Sequence, residues 1–176
     1  MKRNDTTPPV ISIIGRSGSG KTTLIEKLIA YFTQKGRRVA VIKHMKHDFQ
    51  VDRPGKDTHR YRQAGAHAAA ITNDRELAVM TSIAGARDPS DIAREYFGDC
   101  DLVIVEGYKE GGTMKIEVVG DSPEGPLFAS GEAGVAAVVT DRNVRTGLPR
   151  FGRDDTGAVA GFIEALVMCP GSSGGP

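Results

Sequence analysis

The stretch Val10–Leu28, "VISIIGRSGSGKTTLIEKL", limits what this chain can fold into more than any other. An apolar run of strand length breaks into three glycines, a lysine and two threonines, and then apolar residues recur at helical spacing: Leu24, Ile25, Leu28, Ile29 and Phe32, up to Gly36. Gly15-Arg16-Ser17-Gly18-Ser19-Gly20-Lys21-Thr22 matches the phosphate-binding pattern G-x-x-x-x-G-K-[ST] without a mismatch, between a strand and a helix as that pattern requires. A loop wrapped round phosphate must turn tightly and bring its N–H groups close to the anion, which is easiest where no Cβ intrudes. The helix starting near Lys21 adds unpaired N–H groups and the positive end of its dipole. On this reading Gly15, Arg16, Ser17, Gly18, Ser19, Gly20, Lys21, Thr22 and Thr23 hold nucleotide phosphates. Lys21 meets the β- and γ-phosphates and the Thr22 hydroxyl ligates Mg²⁺. The competing reading is a chance glycine turn with a helix-capping hydroxyl.

Downstream, "RRVAVIKH" reads as a second buried strand and "DTHRYRQAGA" as a short helix ending at Gly65. "HAAAITN" and "ELAVMTS" read as a strand pair turning at Asn73 and Asp74, the first also open to a helical reading through its alanines. "DPSDIAREYF" is a helix starting from Asp88 or Ser90, "CDLVIVEG" a buried strand, "MKIEVVG" and "GVAAVVTD" further strands, and "DDTGAVAGFIEALV" a closing helix. Strands alternating with helices predict an α/β fold of three layers, a mainly parallel sheet with helices on both faces and ligands at the carboxyl ends of the strands. We expect one phosphate-loop nucleotide-binding domain over residues 1–168 and a flexible Gly/Ser/Pro tail over 169–176.

The chain has 176 residues and a formal net charge of +1, too balanced for a nucleic-acid binder held by bulk electrostatics, and no local basic stripe replaces that charge. No apolar run approaches the roughly 18 residues that cross a bilayer, and "MKRNDTTPP" lacks an apolar signal segment. A cytoplasmic location without nucleic-acid or membrane partners is the expectation. Cys100 and Cys169 offer neither a disulfide framework nor metal-ligand spacing, and both read as reduced and structural.

A phosphate loop does not by itself choose between kinase, ATPase and GTPase, so the acids must help decide. Glu106, closing "DLVIVE", stands where a nucleotide hydrolase places the acid that holds a Mg²⁺-bound water, and Gly107 lets backbone approach the γ-phosphate. The plainer reading is a polar residue leaving a buried strand. "KHMKHDFQVD" gathers His44, His47, Asp48 and Asp52; Asp48 is the candidate to orient the attacking or metal-bound water. The two histidines lack a third ligand by spacing, and a solvated polar loop explains them equally.

In this order and spacing, "GRSGSGKTTL", "VAVIKHMKHDFQVDRPGKDTHRYRQAGA", "DLVIVEGYK" and "VVTD" resemble the molybdopterin-guanine dinucleotide biosynthesis protein B family over most of Val10–Leu166. The resemblance implies a GTP-binding protein of the dimeric nucleotide-hydrolase class, weakly active alone, with GTP and Mg²⁺ as cofactors. It also implies an adaptor role toward the guanylyltransferase that attaches GMP to molybdenum cofactor. It adds Asp57, in "PGKDTHR", as a candidate on the phosphate or metal side, against a plain helix N-cap. Asp141, ending "VAAVVTD", is the candidate acceptor for guanine N1–H and the exocyclic amine, against a turn residue, since the N-K-x-D form is absent.

Three other classes compete. A small-molecule kinase would use "RTGLPRFGR", with Arg145, Arg150 and Arg153, as a mobile lid; a metal-insertion GTPase would use His44 and His47; a nonenzymatic adaptor would use nucleotide only as a switch. For hydrolysis Lys21, Asp48 and Glu106 are the candidate catalytic residues, with Thr22, Glu106 and Asp48 on the metal, and Arg16 the one candidate finger, acting across a dimer. "MKIEVVGDSPEGPLFASG" is expected to add an edge strand and loop that pair with a second copy, unless Asp121 and Glu124 shield that edge.

Overall fold

The computed structural model describes residues 7–47, 49, 51–128 and 134–168. Asp48, Cys169 and the expected tail at 169–176 lie outside the described residues. The chain divides into two compact units, residues 1–44 with 88–176, and residues 45–87.

The larger unit is built on six parallel strands in the order β2-β5-β1-β6-β7-β8. They are β1 (Val10–Ile14), β2 (Val39–Lys43), β5 (Leu102–Glu106), β6 (Met114–Val118), β7 (Val135–Val139) and β8 (Arg150–Phe151). Helices α1 (Lys21–Gln34) and α4 (Thr156–Ile163) cover one face, and α4 continues as a π-helical turn over Glu164–Met168. Leu24, Ile25, Leu28 and Phe32 of α1 and Val159, Ala160 and Ile163 of α4 pack with Ile11, Ile13, Leu102, Ile104, Ile116 and Val139 into the main core. The 3.6-residue spacing puts the α1 residues on one stripe, and alternation along each strand aims one set of aliphatic side chains at it.

On the other face α3 (Pro89–Tyr96) packs Ala93 over Val103, Val105 and Ala40. Asp88 is the N-cap of α3, accepting from Ser90 N at 2.8 Å with Pro89 at the first helical position, which settles the choice of start. Cys100, a free thiol, is partly buried at the edge of this second cluster, and burial, with Asp99 and Asp101 beside it, pushes its pKa up.

Three features differ from the sequence reading. β2 is an edge strand with alternate residues exposed, not a fully buried one. β6, expected to extend an edge, lies between β1 and β7: Ile116 and Val118 join the main core, and its register with β1 runs from Ile11↔Met114 to Ile14↔Glu117. The arginine-rich segment that a small-molecule kinase would use as a lid carries a strand the sequence reading did not include, β8, paired in parallel with β7.

The chain crosses from β5 to β6 over the second face of β1 through residues 107–113, and the Thr113 and Ser12 hydroxyls share a 2.8 Å hydrogen bond there. Lys115 and Glu117, which alternation assigns to that face, are each 1 % exposed. Lys115 Nζ donates to the crossover carbonyls of Gly111 and Thr113 at 2.9 and 3.0 Å. Glu117 accepts from the backbone N–H of Leu127 and of Phe128, pinning the chain that returns toward β7. Burial lowers the Lys115 pKa and Asp88 opposes that shift.

The smaller unit holds α2 (Asp57–Gln63) and an antiparallel hairpin of β3 (Ala68–Thr72) and β4 (Leu77–Thr81). Asn73 Oδ1 accepts from Arg75 N and Glu76 N, both at 2.8 Å, closing the turn at the expected position. Ile71, Leu77 and Val79 of the hairpin are more than half exposed, and of its apolar residues only Ala69 is buried.

Candidate functional site

Because the sheet is all parallel, the ends of β1, β2, β5, β6 and β7 open onto one edge, and the phosphate-loop residues follow β1 there. Gly15 (φ 144°) turns away from β1 so close to β6 that a Cβ would lie 2.3 Å from the Val118 carbonyl oxygen. Gly20 (φ 96°) is the N-cap of α1, in a left-handed conformation that opens the helix without a side-chain cap. The first N–H groups of α1 therefore remain available to an anion.

Lys21 Nζ donates to Arg16 O at 2.6 Å, which turns the ammonium toward its own loop. Burial lowers the Lys21 pKa; Glu106 raises it, and Lys109 and Lys43 lower it further. Thr22 Oγ1 donates to Glu106 Oε1 at 3.2 Å. A hydroxyl and a carboxylate meeting at the mouth of a phosphate loop are hard oxygen donors of the kind Mg²⁺ takes, so these residues fit that ion. Glu106 closes β5, and Gly107 N donates to Ile13 O at 3.0 Å, anchoring the strand end beside the loop.

Arg16 points away from the loop mouth: its guanidinium pairs with Glu124 at 2.5 Å and its Nε donates to Gly125 O at 3.3 Å. Arg142, after β7, donates to the carbonyls of Gly120 at 3.2 Å and Ser122 at 2.5 Å. Asp141 accepts from Arg153 N at 2.9 Å, and Arg153 Nη2 reaches Asp121 at 2.7 Å. Asp141 thus stands at the end of β7 on the ligand edge, its acceptors turned to Arg153.

The remaining candidates each have neighbours of their own. His44 sets its ring edge-on to Tyr108 at 5.1 Å, and Tyr108 donates to Asp88 at 3.3 Å, a packing role for the first histidine. Among the described residues no group of three His, Cys, Asp or Glu is placed to hold a metal. Asp57, in the smaller unit, is the first residue of α2 and not its N-cap; Lys56 holds that place, and Asp57 lies 3.8 Å from Arg60 one turn on. Asp52 accepts from Thr58 at 3.0 Å in the same unit. Sequence reasoning missed Lys43, whose ammonium lies 3.9 Å from Glu106 Oε2; the signal was a lysine ending a strand in register with that acid.

The family model for "Molybdopterin guanine dinucleotide synthesis protein B" matches residues 10–141. A molybdopterin-guanine dinucleotide biosynthesis adapter protein of Haemophilus influenzae is 41 % identical over 61 % of this chain and 61 % of its own length, so that match spans less than two thirds of the relative. The adapter protein of that name from Escherichia coli is 30 % identical over 88 % of this chain and 91 % of its own. A crystal structure of a molybdopterin-guanine biosynthesis protein B superposes with a TM-score of 0.71 at 33 % identity, covering 89 % of this chain and 97 % of that one. Among the described residues no helix is long and apolar enough to cross a membrane.

Proposed function

The chain belongs to the molybdopterin guanine dinucleotide synthesis protein B family, and from that premise we propose that it serves molybdenum cofactor biosynthesis as a Mg²⁺-dependent GTP-binding adaptor with weak GTPase activity. The observation that carries the reading is the Thr22–Glu106 contact beside a phosphate loop whose lysine donates to the loop's own backbone. When phosphate arrives, Lys21 exchanges the Arg16 carbonyl for the β- and γ-phosphates, a stronger, charge-assisted contact. The N–H groups of Gly15 to Thr23 surround the phosphates. Thr22 and Glu106 would hold Mg²⁺, with Asp48 as the further ligand that the sequence suggests, and the ion would supply charge neutralisation to the phosphates. Asp48 orients the attacking water and Asp57 belongs to the same chemistry, while Gly107 lets backbone approach the terminal phosphate.

Asp141 reads guanine by exchanging Arg153 for N1–H and the exocyclic amine; Arg153 keeps Asp121 as its partner. Turnover is slow in the lone chain because the candidate finger Arg16 is committed to Glu124. The adaptor acts in the cytoplasm on the guanylyltransferase that completes the guanine dinucleotide cofactor. It works as a homodimer, through the hairpin and not through β6: a two-stranded hairpin with Ile71, Leu77 and Val79 exposed is marginal alone and gains from a second copy.

Competition of GTP and ATP against a fluorescent GDP tests the reading. GTP displaces the probe at lower concentration, and Asp141→Asn narrows the gap; equal displacement by ATP would move the chain to the kinase or ATPase class. Single-turnover assays at saturating GTP then read Asp48→Asn and Glu106→Gln. Large losses of rate with binding retained are expected, and wild-type rates for both refute their roles.

A further inference from the structure

Lys43 is the last residue of β2 and is in register with Glu106, the last residue of β5. One carboxylate therefore has two neighbours: Thr22 Oγ1 on Oε1 at 3.2 Å, and Lys43 Nζ at 3.9 Å from Oε2. The Glu106 side chain is 14 % exposed and that of Lys43 is 61 % exposed, so the acid is fixed while the ammonium is free to swing. At 3.9 Å the pair is too long for a hydrogen bond, and an ion pair so open to solvent contributes little stability. Lys43 is thus not explained by holding the strand ends together. The arginines around the loop are engaged elsewhere: Arg16 with Glu124, Arg142 with the carbonyls of Gly120 and Ser122, Arg153 with Asp121.

We propose that Lys43 is an in-chain ligand of the γ-phosphate, supplying to the terminal phosphoryl oxygens the positive charge that an arginine finger supplies in other nucleotide hydrolases. This rests on the GTP reading above and deepens it. The Thr22 hydroxyl and the Lys43 ammonium lie beside the two oxygens of one acid, so a triphosphate seated in the loop beside Thr22 and Glu106 would present its last phosphate to Lys43 as well as to Lys21. Lys43 and Lys109 both stand within electrostatic range of the Lys21 ammonium. The repulsion among these ammonium groups is relieved by an anion with a terminal phosphate, and less so by a diphosphate.

The test is equilibrium binding of GDP and of GTPγS, with Mg²⁺, to the full chain and to its Lys43→Ala and Lys43→Arg variants. Lys43 is exposed, so thermal unfolding of the variants should match wild type. Lys43→Ala should lose about tenfold in GTPγS affinity, the lower end for a contact to a charged group, and leave GDP affinity unchanged. Lys43→Arg should restore most of the loss. Equal losses for the two nucleotides, or no loss for either, overturn the γ-phosphate role while leaving the GTP reading standing. Failure of the wild-type chain to bind either nucleotide overturns both.

Discussion

Replacing Gly120 with alanine probes how tightly the phosphate loop is wedged against the end of β6. A Cβ at Gly120 would sit 2.8 Å from Ser19 Cα, 3.2 Å from Ser19 Cβ and 3.4 Å from Ser19 O. Carbon atoms settle at about 3.5–4.0 Å, so the two backbones must part by roughly 0.7 Å or more. Ser19 has little room to retreat, being 4 % exposed, and its Oγ is 2.7 Å from where a Cβ on Gly15 would stand. Gly120 is not among the residues with positive φ, so the backbone conformation itself admits alanine and the penalty is steric. Overpacking of this kind costs about 1–3 kcal/mol. The displaced residue also carries one of the N–H groups expected on phosphate, and misplacement by about 1 Å in such a site costs on the order of a hundredfold. Urea unfolding of Gly120→Ala should therefore show that loss of stability, and GTP titration should show a fall in affinity of tenfold or more, roughly. Gly147→Ala, with nothing within 4 Å of its Cβ, is the control and should stay within about 0.5 kcal/mol of wild type. A Gly120→Ala protein with wild-type midpoint and affinity would refute the close approach.

Asp88→Ala removes the cap of α3 and the acceptor for Tyr108, and urea unfolding near neutral pH should show a cost of about 1–2 kcal/mol. Burial works against the Asp88 carboxylate, but hydrogen bonds from Ser90 and Tyr108 outweigh it and hold its pKa below the usual carboxylate range, so its stabilisation is fully present at pH values above the unfolded-state pKa and the gap to the variant closes as pH falls through the folded value. Gly161→Ala, inside α4 with open space around its Cβ, should raise stability by about 0.5–1 kcal/mol in the same assay. Val79→Glu on the exposed hairpin should shift the light-scattering mass from dimer to monomer; an unchanged dimer would place the interface elsewhere.

The phosphate loop was legible because its chemistry is local: three glycines, a lysine and a threonine fix turn, helix start and ligand within eight residues. The same holds for β5, whose unbroken aliphatic run can only be interior. β6 was misplaced because Lys115 and Glu117 alternate with apolar residues, a pattern that normally means one solvated face. Their partners are backbone groups at 111, 113, 127 and 128, which no periodicity announces. β8 went unseen because two residues next to Pro149 make no pattern. Within the site, Glu106 could be read from the strand it ends, whereas Lys43 becomes visible only when the parallel register sets it beside that acid. The commitment of Arg16 to Glu124 spans a loop contact that sequence does not encode in spacing.

Calorimetric titration of Mg²⁺ and GTP into the wild-type chain and into Lys21→Ala tests the central claim most directly. Lys21 is partly buried at a cost to its charge and, among the described residues, its Nζ meets only the Arg16 carbonyl, so the variant should fold at least as stably as wild type while losing most of its GTP binding. A folded Lys21→Ala protein that binds GTP with wild-type affinity would contradict the account, because the phosphates would then lie somewhere other than in this loop.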